Sequence, residues 1–561
     1  MKLPSLTRYL PSWKNAALAI LSALLLIFAF PDFELWFLAW FGLAPLFWAI
    51  EQEKDSVARS FVLGWLWGFI FFTGTCWWLT FAPITYAGFP WPVAYFLLFC
   101  LTAIVGIFPG IFAAICSVLL KRFGSIAILA APFVWVFTEF LRYWLTGNNW
   151  NAIGYSQAFT GRSLEAAAYG GVLMIGFFVV VPGALVIFFA RGWNGWRKNE
   201  ALADGFGALV SKSYPATDRN LAGRVRHGTA GYFLILALIF FTASLFAYYL
   251  VGGWPQPEAN AQSESLASIV AIQPNVPMAG LSLEKWNRLR EKHVELAESE
   301  LNKLTADNRP PVTVIFPESP MNFAYNDDDE FQQFVHAFAA KHDVNVLFNS
   351  AEPDAASDKY FNSAVLVGAD GKEIAQYDKI YLVPFGESVP APLQSIVPAF
   401  VGSFSYGSEY DLLPLGDAKA GVMICFESHF GELGREYVHN GADVIIEMTN
   451  DGYLGPTPVL RQHLANAVFR AVETNRPVLR VTNVGITAYI NPRGEVLEVS
   501  EPYTEATRVW SVAKSDGSQT FYVRYGDWFA WLCSIVTIGL IGFGIVRGRG
   551  QYRLRQQSVE S

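Results

Sequence analysis

The stretch that decides the reading is Gly421-Val-Met-Ile-Cys425-Phe-Glu427. Its first four residues read as a buried strand. At the end of that strand stand a thiol and, two residues on, a carboxylate. Cys425 is the only cysteine between 266 and 513, because Cys76, Cys100, Cys116 and Cys533 all fall in long apolar runs. No second thiol in its own region is available for a disulfide. Alone, a strand cysteine also fits the role of a small core hydrophobe. Thiol chemistry needs more: a base to make the thiolate and donors to hold a tetrahedral oxyanion.

Two other strand ends supply candidates. Val314-Ile-Phe-Pro-Glu318 is an apolar strand that stops at a proline and then presents a carboxylate. Partial desolvation there raises a carboxyl pKa toward the range of a general base. Tyr377-Asp-Lys379-Ile-Tyr-Leu-Val-Pro-Phe-Gly-Glu387 sets a lysine in an apolar stretch. A buried ammonium must face something negative, and beside a nucleophile it suits an oxyanion. Each has a bland alternative: a solvated loop glutamate, or a lysine paired structurally with Asp378. Together with Cys425 they give a base, an oxyanion donor and a nucleophile at strand ends of one region.

That region alternates strands and helices. Strands are expected at 267–276, 312–317, 344–350, 361–367, 420–426, 443–449, 478–484 and 487–491, and helices at 283–304, 330–342, 431–440 and 458–474. Such alternation argues a layered α/β domain, and about 250 residues suffice for one large core.

The rest of the chain is different. Of 561 residues 53% are hydrophobic and only 16% charged, where soluble chains carry about 25%. The net charge of −8 offers no basic face for nucleic acid. Apolar runs near the ~20 residues that cross a bilayer occur at 16–31, 35–50, 61–81, 93–120, 126–146, 169–190, 231–251 and 527–546. The first two are short for independent spans; Pro31-Asp32 reads as a tight turn between them, and together they make a hairpin. Lys and Arg concentrate in alternate loops, which puts both termini in the cytoplasm and the α/β region outside it. The basic, then apolar start reads as an uncleaved anchor. The expected organisation is a seven-span membrane domain (1–252), a linker (253–265), the α/β domain (266–513), and a return segment (514–561) with the eighth span. His227, His293, His336, His342, His429, His439 and His463 show no metal-ligand spacing, so no metal is expected.

At Glu318, Lys379 and Cys425 the sequence resembles the nitrilase superfamily, which implies an αββα sandwich. Combined with the spans, it resembles the apolipoprotein N-acyltransferase family. The resemblance includes Gln273-Pro-Asn275, Glu284-Lys-Trp286, Phe361-Asn-Ser-Ala364, Leu382-Val-Pro-Phe-Gly-Glu387, Cys425-Phe-Glu427 and Thr449-Asn-Asp451. It implies Glu318 as general base and acid, Lys379 as oxyanion stabiliser and Cys425 as the acyl-accepting nucleophile. Glu387, Glu427 and Trp286 match further residues the family needs. Phe426 stands where the family commonly has Tyr, and Asp451-Gly-Tyr-Leu-Gly455 replaces a more aromatic segment. The implied reaction is ping-pong transfer of an acyl chain, without a cofactor. It runs from a phospholipid, phosphatidylethanolamine for choice, to the amino group of S-diacylglyceryl-cysteine on apolipoproteins, at the bacterial inner membrane with catalysis on the periplasmic face.

The segment 388–410 is apolar for a loop, with Phe400, Phe404 and Tyr406. It reads either as a lipid-touching arm or as a loop packed on the domain. Glu139 and Arg142, before the loop 147–157, form a candidate functional pair that helix pairing also explains. Two other functions fit parts of the pattern: a membrane-tethered nitrilase-like amidase using water, and an exterior ligand-binding module on a transporter. The apolar arm and the many spans count against the first. The absence of polar, broken mid-membrane helices counts against the second.

Overall fold

The computed structural model describes residues 9–198, 265–278, 283–304, 311–318, 324–389 and 404–560. The chain forms two units: Met1–Ala166 with Val172–Trp254 and Asp527–Ser561, and Pro255–Gly526 with Ala167–Gly171.

In the first unit the apolar runs become helices because a bilayer leaves backbone polar groups no partner but each other. Among the described residues five helices are long and apolar enough to cross a membrane: Val57–Thr85, Trp91–Phe123, Ser125–Thr146, Leu164–Arg191 and Trp528–Val546. Trp13–Ala29 is apolar but shorter, at 17 residues. The run 35–50 differs from expectation. It forms three pieces, Trp36–Leu38, Ala39–Gly42 and Ala44–Gln52. Pro45 lies in the first turn of the last piece, the one helical position that tolerates a missing N–H. Gly42 approaches the first helix so closely that a Cβ would meet Leu26 Cδ2 at 2.2 Å. The expected span 231–251 lies outside the described residues. Arg142 donates to Asn149 Oδ1 (2.7 Å) and Trp150 O (3.1 Å), and Ile153 N donates to Glu139 (2.8 Å). This pair therefore anchors the loop that follows its helix.

Among the described residues the second unit holds two sheets. The first is built from β1 (Ser265–Gln273), β2 (Val312–Ile315), β3 (Asn345–Pro353), β4 (Tyr360–Val367), β5 (Glu373–Asp378), β6 (Phe404–Ser405) and β13 (Ala506–Ala513). Its order is β13-β1-β2-β3-β4-β5, with β6 on β4. The second contains β7 (Leu412–Leu415), β8 (Ala418–Ile424), β9 (Val444–Thr449), β10 (Val478–Thr482), β11 (Ala488–Ile490) and β12 (Val496–Leu497), in the order β12-β11-β10-β9-β8-β7. The central strands β1–β2–β3 and β8–β9–β10 run parallel, and such strands, covered on both faces, read as apolar runs. That is why the sequence showed them. Strands β5, β6, β7, β12 and β13 fall outside the expected set. β13 is mostly half-exposed, and β5 is largely polar.

Helices Leu283–Leu301 and Asp329–His342 share a core with the first sheet around Val270, Val314, Val335, Phe338 and Val346. Asp328 caps the second of these helices by accepting from Phe331 N at 2.9 Å. Helices Gly431–His439 and Val459–Thr474 pack on β8 and β10, while β1 neighbours β10 and β5 neighbours β7. The result is an αββα sandwich. Gln273 ties its sheets together, accepting from Thr482 (3.1 Å) and Ser500 (2.7 Å).

Candidate active site

Cys425 follows the last residue of β8 and begins a short helical turn, Cys425–His429. Its φ of 54° lies in the left-handed region, where non-glycine residues are uncommon and strained. The chain thus turns sharply at the nucleophile candidate. Glu427 holds that turn against the lysine segment. Its Oε2 accepts from Ile424 N (2.8 Å), and its Oε1 accepts from Ile380 N (2.7 Å), Tyr381 N (3.1 Å) and the Tyr377 hydroxyl (2.8 Å). The carboxyl is fully buried, and burial pushes its pKa up to about 7 even though Lys379 pulls the other way. Four donors on one carboxylate make Glu427 a clamp.

Lys379 is fully buried at the end of β5. Its Nζ donates to Glu387 Oε1 at 2.8 Å and lies 3.7 Å from Glu318 Oε1. Burial disfavours its charge, but Glu387 and Glu318 more than offset that and raise its pKa. Asp378, the alternative partner, instead accepts from Ser363 (2.6 Å) and Gln376 (2.7 Å). Glu387 is further held by Asn362 Nδ2 (2.7 Å) and Val383 N (2.8 Å).

Glu318 stands three residues past β2. Asn362 Nδ2 reaches its Oε1 (3.2 Å) and Asn450 N its Oε2 (3.1 Å). Burial raises its pKa; Lys379 opposes the shift, Glu387 adds to it, and the nearby Cys425 thiol lowers it. The thiol pKa is raised too, first by burial and then by Glu318, with Lys379 and the Thr449 hydroxyl working the other way. Burial thus favours the protonated form of both the thiol and its neighbour Glu318.

The other expected residues divide. Phe426 stacks on His429 (5.8 Å between centroids) and meets Phe430 edge-on at 5.2 Å. Phe404 lies in β6, paired with Tyr360. Tyr406 is 61% exposed. Phe400 lies outside the described residues, and Trp286 is placed only by its position on Leu283–Leu301. Among the described residues no group of three His, Cys, Asp or Glu side chains could hold a metal ion.

Sequence reading missed a second charged cluster on the other side of Cys425. His463 Nδ1 lies 2.7 Å from Asp451 Oδ1, while its Nε2 lies 3.0 Å from the Cys425 carbonyl oxygen and 3.1 Å from Glu447 Oε1. Arg480 bonds Glu447 and also Asp451, at 2.8 Å. Burial alone would lower the His463 pKa, as would Arg480, but Asp451 and Glu447 bring it up to about 9. The available signal was a charge inside an apolar strand. Glu447 sits in Val-Ile-Ile-Glu-Met-Thr and Arg480 in Val-Leu-Arg-Val-Thr, directly opposite each other in the β9–β10 register.

The family description "Carbon-nitrogen hydrolase" matches residues 309–520, and "Apolipoprotein N-acyltransferase N-terminal domain" matches 22–185. These two matches together define a membrane-embedded enzyme of the nitrilase superfamily. Among relatives, the apolipoprotein N-acyltransferase of Geobacter metallireducens is 29% identical over 93% of both chains. That of Allorhizobium ampelinum is 30% identical, covering 87% of this chain and 88% of the relative. The chain belongs to the apolipoprotein N-acyltransferase family; it is an acyltransferase and a multi-pass membrane protein with an extramembranous catalytic domain. Solved structures similar to it include a Saccharomyces cerevisiae member of branch 10 of the nitrilase superfamily (19% identity, TM-score 0.34, 45% of this chain and 91% of that one). An amidase from Nesterenkonia sp. is also similar (14% identity, TM-score 0.34, 48% and 96%).

Proposed function

We propose that the protein moves one acyl chain from a membrane phospholipid, phosphatidylethanolamine for choice, to the α-amino group of an S-diacylglyceryl-cysteine on apolipoproteins, through a thioester on Cys425. The observation that carries this reading is the convergence of a thiol, a pKa-raised carboxylate and a carboxylate-paired lysine at strand ends. Cys425 Sγ attacks the ester carbonyl as Glu318 accepts the thiol proton. The oxyanion is stabilised by Lys379 Nζ and a backbone N–H of the Cys425–Phe426 turn. Collapse expels the lysophospholipid alkoxide, which takes the proton from Glu318. In the second half-reaction the amine attacks the thioester, Glu318 takes a proton from the attacking nitrogen, and the departing thiolate regains it. An α-amine, with pKa near ~8, is substantially neutral at working pH, and a thioester is activated toward it. Glu387 and Glu427 hold the lysine and the thiol turn in register, which favours a preorganised site. The apolar segment 388–410, with Phe400, Phe404 and Tyr406, would contact lipid. The setting is the bacterial inner membrane, with both termini cytoplasmic and catalysis on the periplasmic face.

The test is intact-mass analysis after incubation with phosphatidylethanolamine vesicles, beside Cys425→Ala. The wild type should gain one hydroxylamine-labile acyl group that the variant lacks. An unchanged mass, or an adduct that survives Cys425→Ala, would overturn the reading.

A further inference from the structure

The sealed cluster beneath Cys425 has no part in the proton transfers above, yet it touches the nucleophile's own backbone. His463 is buried, and three acceptors lie within hydrogen-bond reach of its ring nitrogens: Asp451 Oδ1 at Nδ1, and the Cys425 carbonyl oxygen and Glu447 Oε1 at Nε2. Both ring nitrogens must then carry hydrogen, so geometry alone demands an imidazolium. Two carboxylates, Glu447 and Asp451, face two cations, His463 and Arg480, and the cluster is electrically balanced. Ion pairs and hydrogen bonds between its members hold such a buried set in place.

Peptide geometry carries the consequence. The Cys425–Phe426 peptide is planar and trans, so its C=O and N–H point in opposite directions. A charged donor that grips the Cys425 carbonyl from below therefore sets the direction of the Phe426 N–H above. The left-handed φ of Cys425 is a conformation that persists only where surroundings over-determine it. We infer that His463 is a positioning residue for the oxyanion: by holding the Cys425 carbonyl, it locks the peptide whose opposite end, the Phe426 N–H, stabilises the tetrahedral intermediates of both half-reactions. On this reading His463 acts through the peptide, by its contact with the Cys425 carbonyl oxygen. This inference rests on the thioester reading, and its test separates the two.

The experiment compares wild type, His463→Gln and His463→Leu in the full-length protein, in vesicles. Three rates are read: acylation of Cys425 by phosphatidylethanolamine, release of the acyl group to a diacylglyceryl-cysteine peptide, and alkylation of Cys425 by iodoacetamide. Alkylation forms no oxyanion. Loss of one oxyanion donor slows a reaction by about 10²–10³-fold. His463→Leu, with no donor, should slow acylation and acyl release by amounts in that range while alkylation proceeds as in the wild type. His463→Gln, which keeps one N–H for the carbonyl, should recover part of both rates. If His463→Leu does not fold, His463→Gln decides alone: acylation and release slowed together with alkylation unchanged supports the inference. Wild-type acylation in His463→Gln, or alkylation slowed as much as acylation, overturns it. Failure of the wild type to form any thioester would instead sink the reading on which the inference rests.

Discussion

Cys425 lies between two charged clusters of opposite character. On one side Glu318 and Glu387 share one cation, Lys379, and the two carboxylates keep 14% of their side-chain surface open. On the other, Glu447 and Asp451 share two cations, Arg480 and His463, and none of the four side chains is more than 3% exposed. The first cluster has a carboxylate in excess, and burial raises the Glu318 pKa. The second is balanced. Burial works against Glu447 and Asp451 as well, but Arg480 and His463 outweigh it and lower both pKa values. An unbalanced, partly open set can take and return a proton, whereas a balanced, closed set can only hold shape. On the proposed mechanism, chemistry and architecture are thus divided between the two faces of a single residue.

Removing the cation from each side should break the comparison in different ways. Arg480→Met leaves Glu447 and Asp451 buried against one remaining cation, and removal of one partner from a buried pair costs about 3–5 kcal/mol. A large fall in unfolding temperature, seen by differential scanning fluorimetry in detergent, is the expected result. Lys379→Met should instead remove an oxyanion donor and slow acylation by about 10²–10³-fold. Its unfolding temperature should fall less, because Glu318 and Glu387 can relax toward solvent or protonate. Equal stability losses in the two variants would erase the distinction.

The pH dependence of stability sharpens it with a smaller effect. The His463 pKa is about 9 in the fold, above its ordinary 6.5. A group whose folded pKa is raised contributes stability that is fully present below its unfolded pKa and is lost as pH rises through the folded value. The unfolding temperature should therefore decline between about pH 6.5 and 9, and His463→Gln should flatten that decline. A profile identical in both proteins would show that His463 is not the charged group the geometry requires.

The parallel strands and the helices beside them were legible because each buries a continuous apolar run, and the three chemical residues were legible because each interrupts such a run at its end. Lys379 drew attention as a charge in an apolar stretch. Glu447 and Arg480 carry the same signal but fall mid-strand, where only the β9–β10 pairing reveals that they answer each other. His463 lies on Val459–Thr474, a helix buried at every residue but Arg461, and nothing in its local spacing points to Cys425, 38 residues away. The broken run 35–50 misled for another reason: hydropathy sums apolar residues without seeing that Pro45 must start a helix. Strands β5 and β13 escaped because they are only partly buried.

The most direct measurement is a single-turnover chase. Acyl-enzyme formed on phosphatidylethanolamine is freed of donor and mixed with a diacylglyceryl-cysteine peptide or with buffer alone, and the products are followed by mass spectrometry. The account predicts that the thioester persists in buffer and is consumed by the peptide, which gains the acyl chain as an amide. Release of free fatty acid at the same rate with and without peptide would contradict it.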